Sequence, residues 1–143
     1  HRVDRRQRQM CIRDRYQARE LDNAVSALEG ASKKSDTGNL QARLAGIYLD
    51  QGRDKEAYKA ARNAAKKGGV KRPDSNYLVM GNALVNLNCF KDAIVAFKNA
   101  LKRAKDKKSE KYPRQWIKFS QSEGGRLQKL RDVGLDIRGC GKP

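Results

Sequence analysis

Residues Asp74–Lys107 read DSNYLVMGNALVNLNCFKDAIVAFKNALKRAKDK, and residues Gly38–Lys71 repeat the skeleton of that stretch at an offset of 36 residues. Apolar or small residues hold the same places in both copies. In the first copy they are Leu44, Ala45, Tyr48, Ala57, Ala61 and Ala64; in the second they are Met80, Gly81, Leu84, Ala93, Phe97 and Ala100, preceded by Tyr77. Self-similarity at this period is typical of helical repeat proteins.

The spacing within each copy predicts two packed helices. Ala45 and Gly81 are small where a partner helix crosses, and Phe97 is expected to fill the space between one hairpin and the next. This pattern resembles the tetratricopeptide repeat, in which one helix carries a large residue, Leu-Gly and Tyr, and the next helix carries Ala, Phe and Ala. This resemblance implies an all-α fold: tandem antiparallel helix hairpins that form a solenoid, with a C-terminal capping helix.

The same pattern divides the chain into six segments. They are 1–16, a non-native segment; 17–36, the second helix of a truncated repeat; 37–72 and 73–107, two full repeats; 108–135, a linker and capping helix; and 136–143, a loose tail. In the truncated repeat Ala24, Leu28 and Ala31 are expected to take the packing positions. In the capping helix Trp116 and Phe119 match first-helix positions.

Glycine, proline and polar residues mark the predicted helix ends. Gly52 is expected to end one helix, with Asn88 in its place in the second copy. Asp54 and the pair Asp74-Ser75 are expected to cap the helices that follow. Pro113 should start the capping helix, and Gly124-Gly125 should fray it.

Basic residues dominate the composition. The 143 residues include 33 Lys and Arg against 16 Asp and Glu, a formal charge of +17. Residues 1–16 resemble translated sequencing-adapter read-through, although a basic nucleic-acid-binding arm is the alternative. Without them the chain carries 27 basic and 14 acidic residues, or +13. Because His1 is not a start methionine, we expect a fragment from which any signal peptide is missing.

The first helices of the two repeats are expected to line a concave groove for a protein partner. The groove positions in this register are Asn39, Ala42, Gly46, Leu49, Asp50, Ser75, Leu78, Asn82, Val85 and Asn86. This apolar and amide surface without lysine or arginine suits an extended peptide or a helix. Asn82 and Asn86 have an alternative interpretation, as residues that merely follow the repeat consensus.

The second helices carry the positive charge. Their cations at helical spacing are Lys55, Lys59, Arg62, Lys66, Lys91, Lys98, Lys102 and Lys105. Such a convex face can attract nucleic acid or anionic lipid. No aromatic residue is interleaved to stack on bases, which favours a solvated face.

The composition excludes several kinds of chemistry. The one histidine is His1, and Cys11, Cys89 and Cys140 lie far apart, which leaves no metal site and no catalytic triad. Paired carboxylates at catalytic spacing are also absent, so we predict neither an enzyme nor a cofactor. Cys89 and Cys140 could pair in an oxidising compartment, but two free thiols are the favoured interpretation.

A narrower resemblance comes from the linker 69–74, the second repeat and the segment 115–119 with Ser122, Glu123 and Arg126. Together they resemble the tetratricopeptide accessory proteins of TonB-type energy-transduction systems of Gram-negative bacteria. This resemblance implies a periplasmic scaffold of a membrane energy-transducing complex. An adaptor of another envelope assembly or secretion pathway is the alternative, followed by a basic nucleic-acid-binding repeat protein.

Overall fold

A computed structural model of the chain describes the backbone of residues 2–140 and the side chains of residues 15 and 17–140. This part of the chain is all-α, as predicted, and contains no strand. Its helices are α1 (Arg2–Lys34), α2 (Asn39–Asp50), α3 (Asp54–Lys67), α4 (Pro73–Asn86), α5 (Phe90–Lys102) and α6 (Lys107–Asp132).

The helices pack mainly on their neighbours in sequence. Each helix contacts the next, and α4 additionally contacts both α2 and α6. Within the described residues α3 and α5 do not contact each other. Connections of a few residues make consecutive helices antiparallel. Helices α2, α4 and α6 therefore form one layer, and α3 and α5 each pack against two consecutive helices of that layer.

Two turns with the same geometry lie 36 residues apart. Gly52 and Asn88 both have a left-handed backbone, with φ values of 74° and 61°. In both turns the amide of the following residue donates a hydrogen bond of 2.8 Å to the carbonyl five residues earlier. The prediction that Asn88 takes the place of glycine is therefore confirmed, since asparagine tolerates this conformation better than most residues.

The predicted helix caps are wrong. Arg53 and Arg72 occupy the N-cap positions of α3 and α4, and neither side chain makes a capping hydrogen bond. Asp54 instead lies in the first turn of α3, where its Oδ1 accepts a hydrogen bond of 2.9 Å from Nδ2 of Asn86. This bond ties the end of α4 to the start of α3.

Small residues allow close contact between the helices of the second hairpin. An added Cβ at Gly81 would lie 2.4 Å from the Phe97 ring. Phe97 is fully buried and stacks on Trp116 with ring centroids 5.8 Å apart. Phe97 therefore fills the space between α5 and α6, as predicted. Most of the repeat skeleton is buried; the exceptions are Tyr77 and Trp116, which are half-buried, and Phe119, which is exposed.

Helix α1 differs from the predicted truncated repeat. Its backbone is helical from Arg2 to Lys34 with no break between residues 16 and 17, while the side chains of residues 1–14 lie outside the described part. Ala24 and Ala31 are exposed, and Val25 and Ser32 are buried instead. Leu28 is half-buried and packs against the core, as predicted, so the predicted packing is wrong only at Ala24 and Ala31, because α1 turns the neighbouring stripe towards α2.

Helix α6 is longer than predicted. It begins at Lys107, six residues before Pro113, and Asp106 caps it by accepting a 2.7 Å hydrogen bond from the Ser109 amide. The helix also continues through Gly124 and Gly125. Gly124 allows a close approach, because a Cβ there would lie 3.2 Å from Cβ of Phe90.

The segment after α6 is attached to the α4–α5 turn. Cys89 and Cys140 form a disulfide, and Nδ2 of Asn88 donates to the Arg138 carbonyl oxygen at 3.2 Å. The predictions of two free thiols and of a loose tail from residue 136 are therefore wrong for residues up to 140. Residues 141–143 of that tail lie outside the described part.

Candidate functional site

A cleft of about 390 Å³ opens where α2 and α4 meet the connection between α3 and α4. Three of the predicted groove residues line it: Asn39, Ala42 and Ser75. The other lining residues are Arg43, Val70, Lys71, Arg72, Asn76 and Val79. The structure therefore brings these three predicted residues together at one surface cleft.

A second cleft, of about 360 Å³, lies between α4 and α6. Ser75 and Leu78 line it from α4, as predicted. The other lining residues are Arg72, Asp74, Asp106, Lys108, Ser109, Tyr112 and Pro113. Arg72 and Ser75 line both clefts, so the two clefts are adjacent on the surface of α2, α4 and α6, and together we call them the groove.

The wall of the groove at α2 is held by backbone contacts. Oδ1 of Asn39 accepts a 2.8 Å hydrogen bond from the Lys71 amide, and the Gly38 amide donates to the Gly68 carbonyl oxygen at 2.8 Å. An added Cβ at Gly38 would lie only 2.3 Å from the carbonyl oxygen of Ala64. Glycine is therefore required where the start of α2 meets the end of α3.

The remaining predicted groove residues line neither of these two clefts. Gly46, Leu49, Asn82 and Val85 are half-buried, and Asp50 and Asn86 are exposed. Leu49, Leu78 and Val85 also pack against the core, so these three side chains are not wholly available to a partner. Asn86 bonds Asp54, as described above, which gives it a structural role at the end of α4.

The groove is more basic than predicted. Arg43, Lys71 and Arg72 line the first cleft and Lys108 lines the second, whereas the sequence register contained no lysine or arginine. The repeat skeleton does not cover Lys71 and Arg72, which belong to the connection between α3 and α4. The positions of these two side chains depend on the path of that connection along the groove. The periodicity of the sequence does not predict this path.

Sequence reasoning also missed the wall formed by α6. Tyr112 is 59% exposed and lines the second cleft opposite Leu78. A signal was present, since Ser109 and Tyr112 follow Ser75 and Leu78 by 34 residues each. The expectation that the capping helix starts at Pro113 placed Ser109 and Tyr112 in the linker and hid this correspondence.

Two carboxylates of the second cleft have different surroundings. The hydrogen bond from the Ser109 amide lowers the pKa of Asp106, and the charge of Arg72 acts in the same direction. Asp74 is only 9% exposed, and its Oδ1 has no hydrogen-bond partner. Asp106 thus accepts a hydrogen bond, whereas Oδ1 of Asp74 accepts none.

The cations of the second helices lie on the outer surface. All eight that the sequence singles out are exposed. Lys105 lies after the end of α5, in the connection to α6, and is not part of the helical stripe.

Comparison with known proteins finds no family model, no curated protein and no solved structure that matches this chain. Among the described residues, none of the helices combines the length and the apolar character needed to cross a membrane.

Proposed function

We propose that this chain is a tetratricopeptide adaptor that binds a segment of another protein along the groove. The observation that carries the proposal is that two adjacent clefts, which share Arg72 and Ser75, extend over the three helices α2, α4 and α6. The groove offers apolar, amide, hydroxyl and charged side chains, which are the groups that recognise an extended peptide. It is also open to solvent along Tyr112, whose side chain has no covering element.

Two features support the tetratricopeptide assignment. The turn at Gly52 recurs at Asn88 with the same hydrogen bonds. The helices α2, α4 and α6 lie in one layer, which corresponds to the first helices of successive hairpins lining the concave side of a solenoid.

We also propose a periplasmic location, as a scaffold of a TonB-linked energy-transducing complex. The disulfide between Cys89 and Cys140 supports an oxidising compartment, where such bonds persist. The TonB link itself comes from the resemblance of segments 69–74 and 115–119 to the accessory proteins of those systems. An adaptor of another envelope pathway would share the groove and differ in its partner.

The test is a titration of the full chain with the purified periplasmic domain of a TonB-type transducer, measured by calorimetry. The groove variant combines Arg43→Ala with Tyr112→Ala, both exposed residues that line the clefts. The matched control combines Arg62→Ala with Val95→Ala, an exposed arginine and a 58% exposed apolar residue on the second helices.

We expect the groove variant to weaken binding at least about tenfold and the control to stay within about twofold. Absence of binding by the native chain would refute the TonB link. Equal weakening by both variants would refute the groove as the binding surface. Salt-sensitive binding of duplex DNA that Lys98→Glu with Lys102→Glu abolishes would favour the nucleic-acid alternative instead.

A further inference from the structure

Asp74 is a carboxylate that the fold buries without giving it a partner. The residue is 9% exposed and its Oδ1 accepts no hydrogen bond. Within the described residues it belongs to none of the ion pairs, which join Arg53 to Glu56, Arg114 to Glu110 and Arg126 to Glu123. Buried charges in proteins are ordinarily paired, because desolvation of an unpaired charge is costly.

The neighbouring charges of the cleft do not supply the missing partner. Arg72 and Lys108 are both exposed. Arg72 acts on Asp106, whose pKa is lowered first by the Ser109 amide and then further by the Arg72 charge. Asp106 is therefore satisfied, and Asp74 is the one acid of this cleft that still lacks a donor.

The walls around Asp74 suit a long cationic side chain. Leu78 and Pro113 provide apolar surface, and Tyr112 presents a largely exposed ring on α6. Aliphatic stems of lysine and arginine pack on such surfaces, and their charged heads are attracted to aromatic faces. The cleft of about 360 Å³ is large enough to hold one such side chain.

We propose that the cleft between α4 and α6 receives the ammonium or guanidinium group of a lysine or arginine side chain from the bound partner, with Asp74 as its counter-ion and Tyr112 against its stem. This inference rests on the proposed function, because the segment in the groove supplies that side chain. The net charge of +17 does not oppose it at contact distance. Exposed charges are screened beyond about 8 Å at physiological salt, whereas Asp74 meets the cation in a desolvated contact.

The site can be tested without the partner, by titrating the isotope-labelled full chain and following the backbone amide signals of Ser75, Ser109 and Tyr112 by NMR. The probes are the N-acetyl methylamides of lysine, of arginine and of norleucine, which is the uncharged analogue of lysine. We expect the two cationic probes to bind about fivefold more tightly than the norleucine probe.

Variants test whether Asp74 causes the preference for the cationic probes over the norleucine probe. Asp74→Asn should make the three probes equal, while Asp92→Asn, which changes the exposed acid in the first turn of α5, should preserve the difference. Tyr112→Ala should weaken the cationic probes about threefold and retain part of the preference. Helical circular dichroism of each variant shows whether its fold is intact, and Tyr112→Ala tests the site if Asp74→Asn unfolds.

Three results would overturn the inference: equal binding of all probes to the native chain, a preference that survives Asp74→Asn, or a preference that Asp92→Asn also removes. These outcomes are separate from failure of the proposed function. If the cationic probes bind as expected and no transducer domain binds, the cation site stands and the TonB link fails. If the transducer domain binds and the probes show no preference, the adaptor stands and the cation site fails.

Discussion

Replacing Gly81 by alanine tests how closely α4 and α5 pack. The added Cβ would lie 2.4 Å from Cε1 of Phe97 and 2.7 Å from both Cδ1 and Cζ. Carbon atoms in favourable contact are about 3.5–4.0 Å apart, so each of these distances is an overlap. Phe97 is fully buried and stacked on Trp116, which limits how far its ring can move.

Two opposing terms determine the expected change in stability. Alanine in a helix interior is favoured over glycine by about 1 kcal/mol. Overpacking of a filled core costs about 1–3 kcal/mol, and overlap with a ring held on both faces belongs at the upper end of that range. We therefore expect Gly81→Ala to lower the free energy of unfolding by about 1–2 kcal/mol.

Gly46→Ala in α2 is the matched control. A Cβ at Gly46 meets no atom within 4 Å, so only the helix-propensity term remains. We expect this variant to raise the free energy of unfolding by about 0.4–1 kcal/mol. Urea unfolding followed by helical circular dichroism and by Trp116 fluorescence measures both changes.

A second substitution identifies the atoms responsible. In a Phe97→Leu background the smaller side chain should relieve the overlap, and the added cost of Gly81→Ala should fall to near zero. If Gly81→Ala instead stabilises the chain as much as Gly46→Ala does, the Phe97 ring does not lie against Gly81, and the packing described for α4 and α5 is refuted.

Three further outcomes are expected from the structure. Phe97→Ala should lower the free energy of unfolding by about 3–5 kcal/mol, and a loss below about 1 kcal/mol in urea would contradict its place between α5 and α6. Cys140→Ser should cost about 2–4 kcal/mol in urea without reductant, because its disulfide with Cys89 closes a loop spanning 51 residues, and reduction of the native chain should cost the same. Burial, and to a smaller extent the hydrogen bond to Glu29, raise the pKa of Tyr48 to about 12. The resulting stabilisation is complete below the unfolded value of about 10 and is lost as pH rises through 12. Ultraviolet titration should therefore show the Tyr48 phenolate forming late, with a midpoint that falls in Glu29→Gln.

The repeat skeleton was predictable because its signal is local and doubled. Small residues such as Ala57 and Ala93 recur at one offset and are buried in both copies. The register of α1 had no second copy to check it. Alanine is compatible with exposed and buried positions alike, so Ala24 and Ala31 looked as suitable as Val25 and Ser32 for the packing stripe.

The groove was only partly predictable. Asn39, Ala42, Ser75 and Leu78 follow from the register of the first helices, since residues on one helix face stay together whatever the tertiary packing. The contribution of Arg72 depends on the path of a connection, and the pairing of Cys89 with Cys140 depends on a tail that turns back along α6. Neither the connection nor the tail contains a repeating sequence pattern, so residue spacing could not predict the position of Arg72 or the pairing of the two cysteines.

Besides the approach of Gly124 to Phe90, a ring stack and a disulfide hold α6, and these two contacts differ in what they support. Trp116 stacks on Phe97 one helical turn after Tyr112, which is the residue that lines the cleft. The disulfide acts beyond the other end of α6, through the segment that follows Asp132. Breaking the disulfide therefore lowers stability without moving Tyr112, whereas loss of the Phe97 ring removes both core packing and the support of the groove wall. Partner binding should accordingly depend on Phe97 and be insensitive to reductant for as long as the chain stays folded.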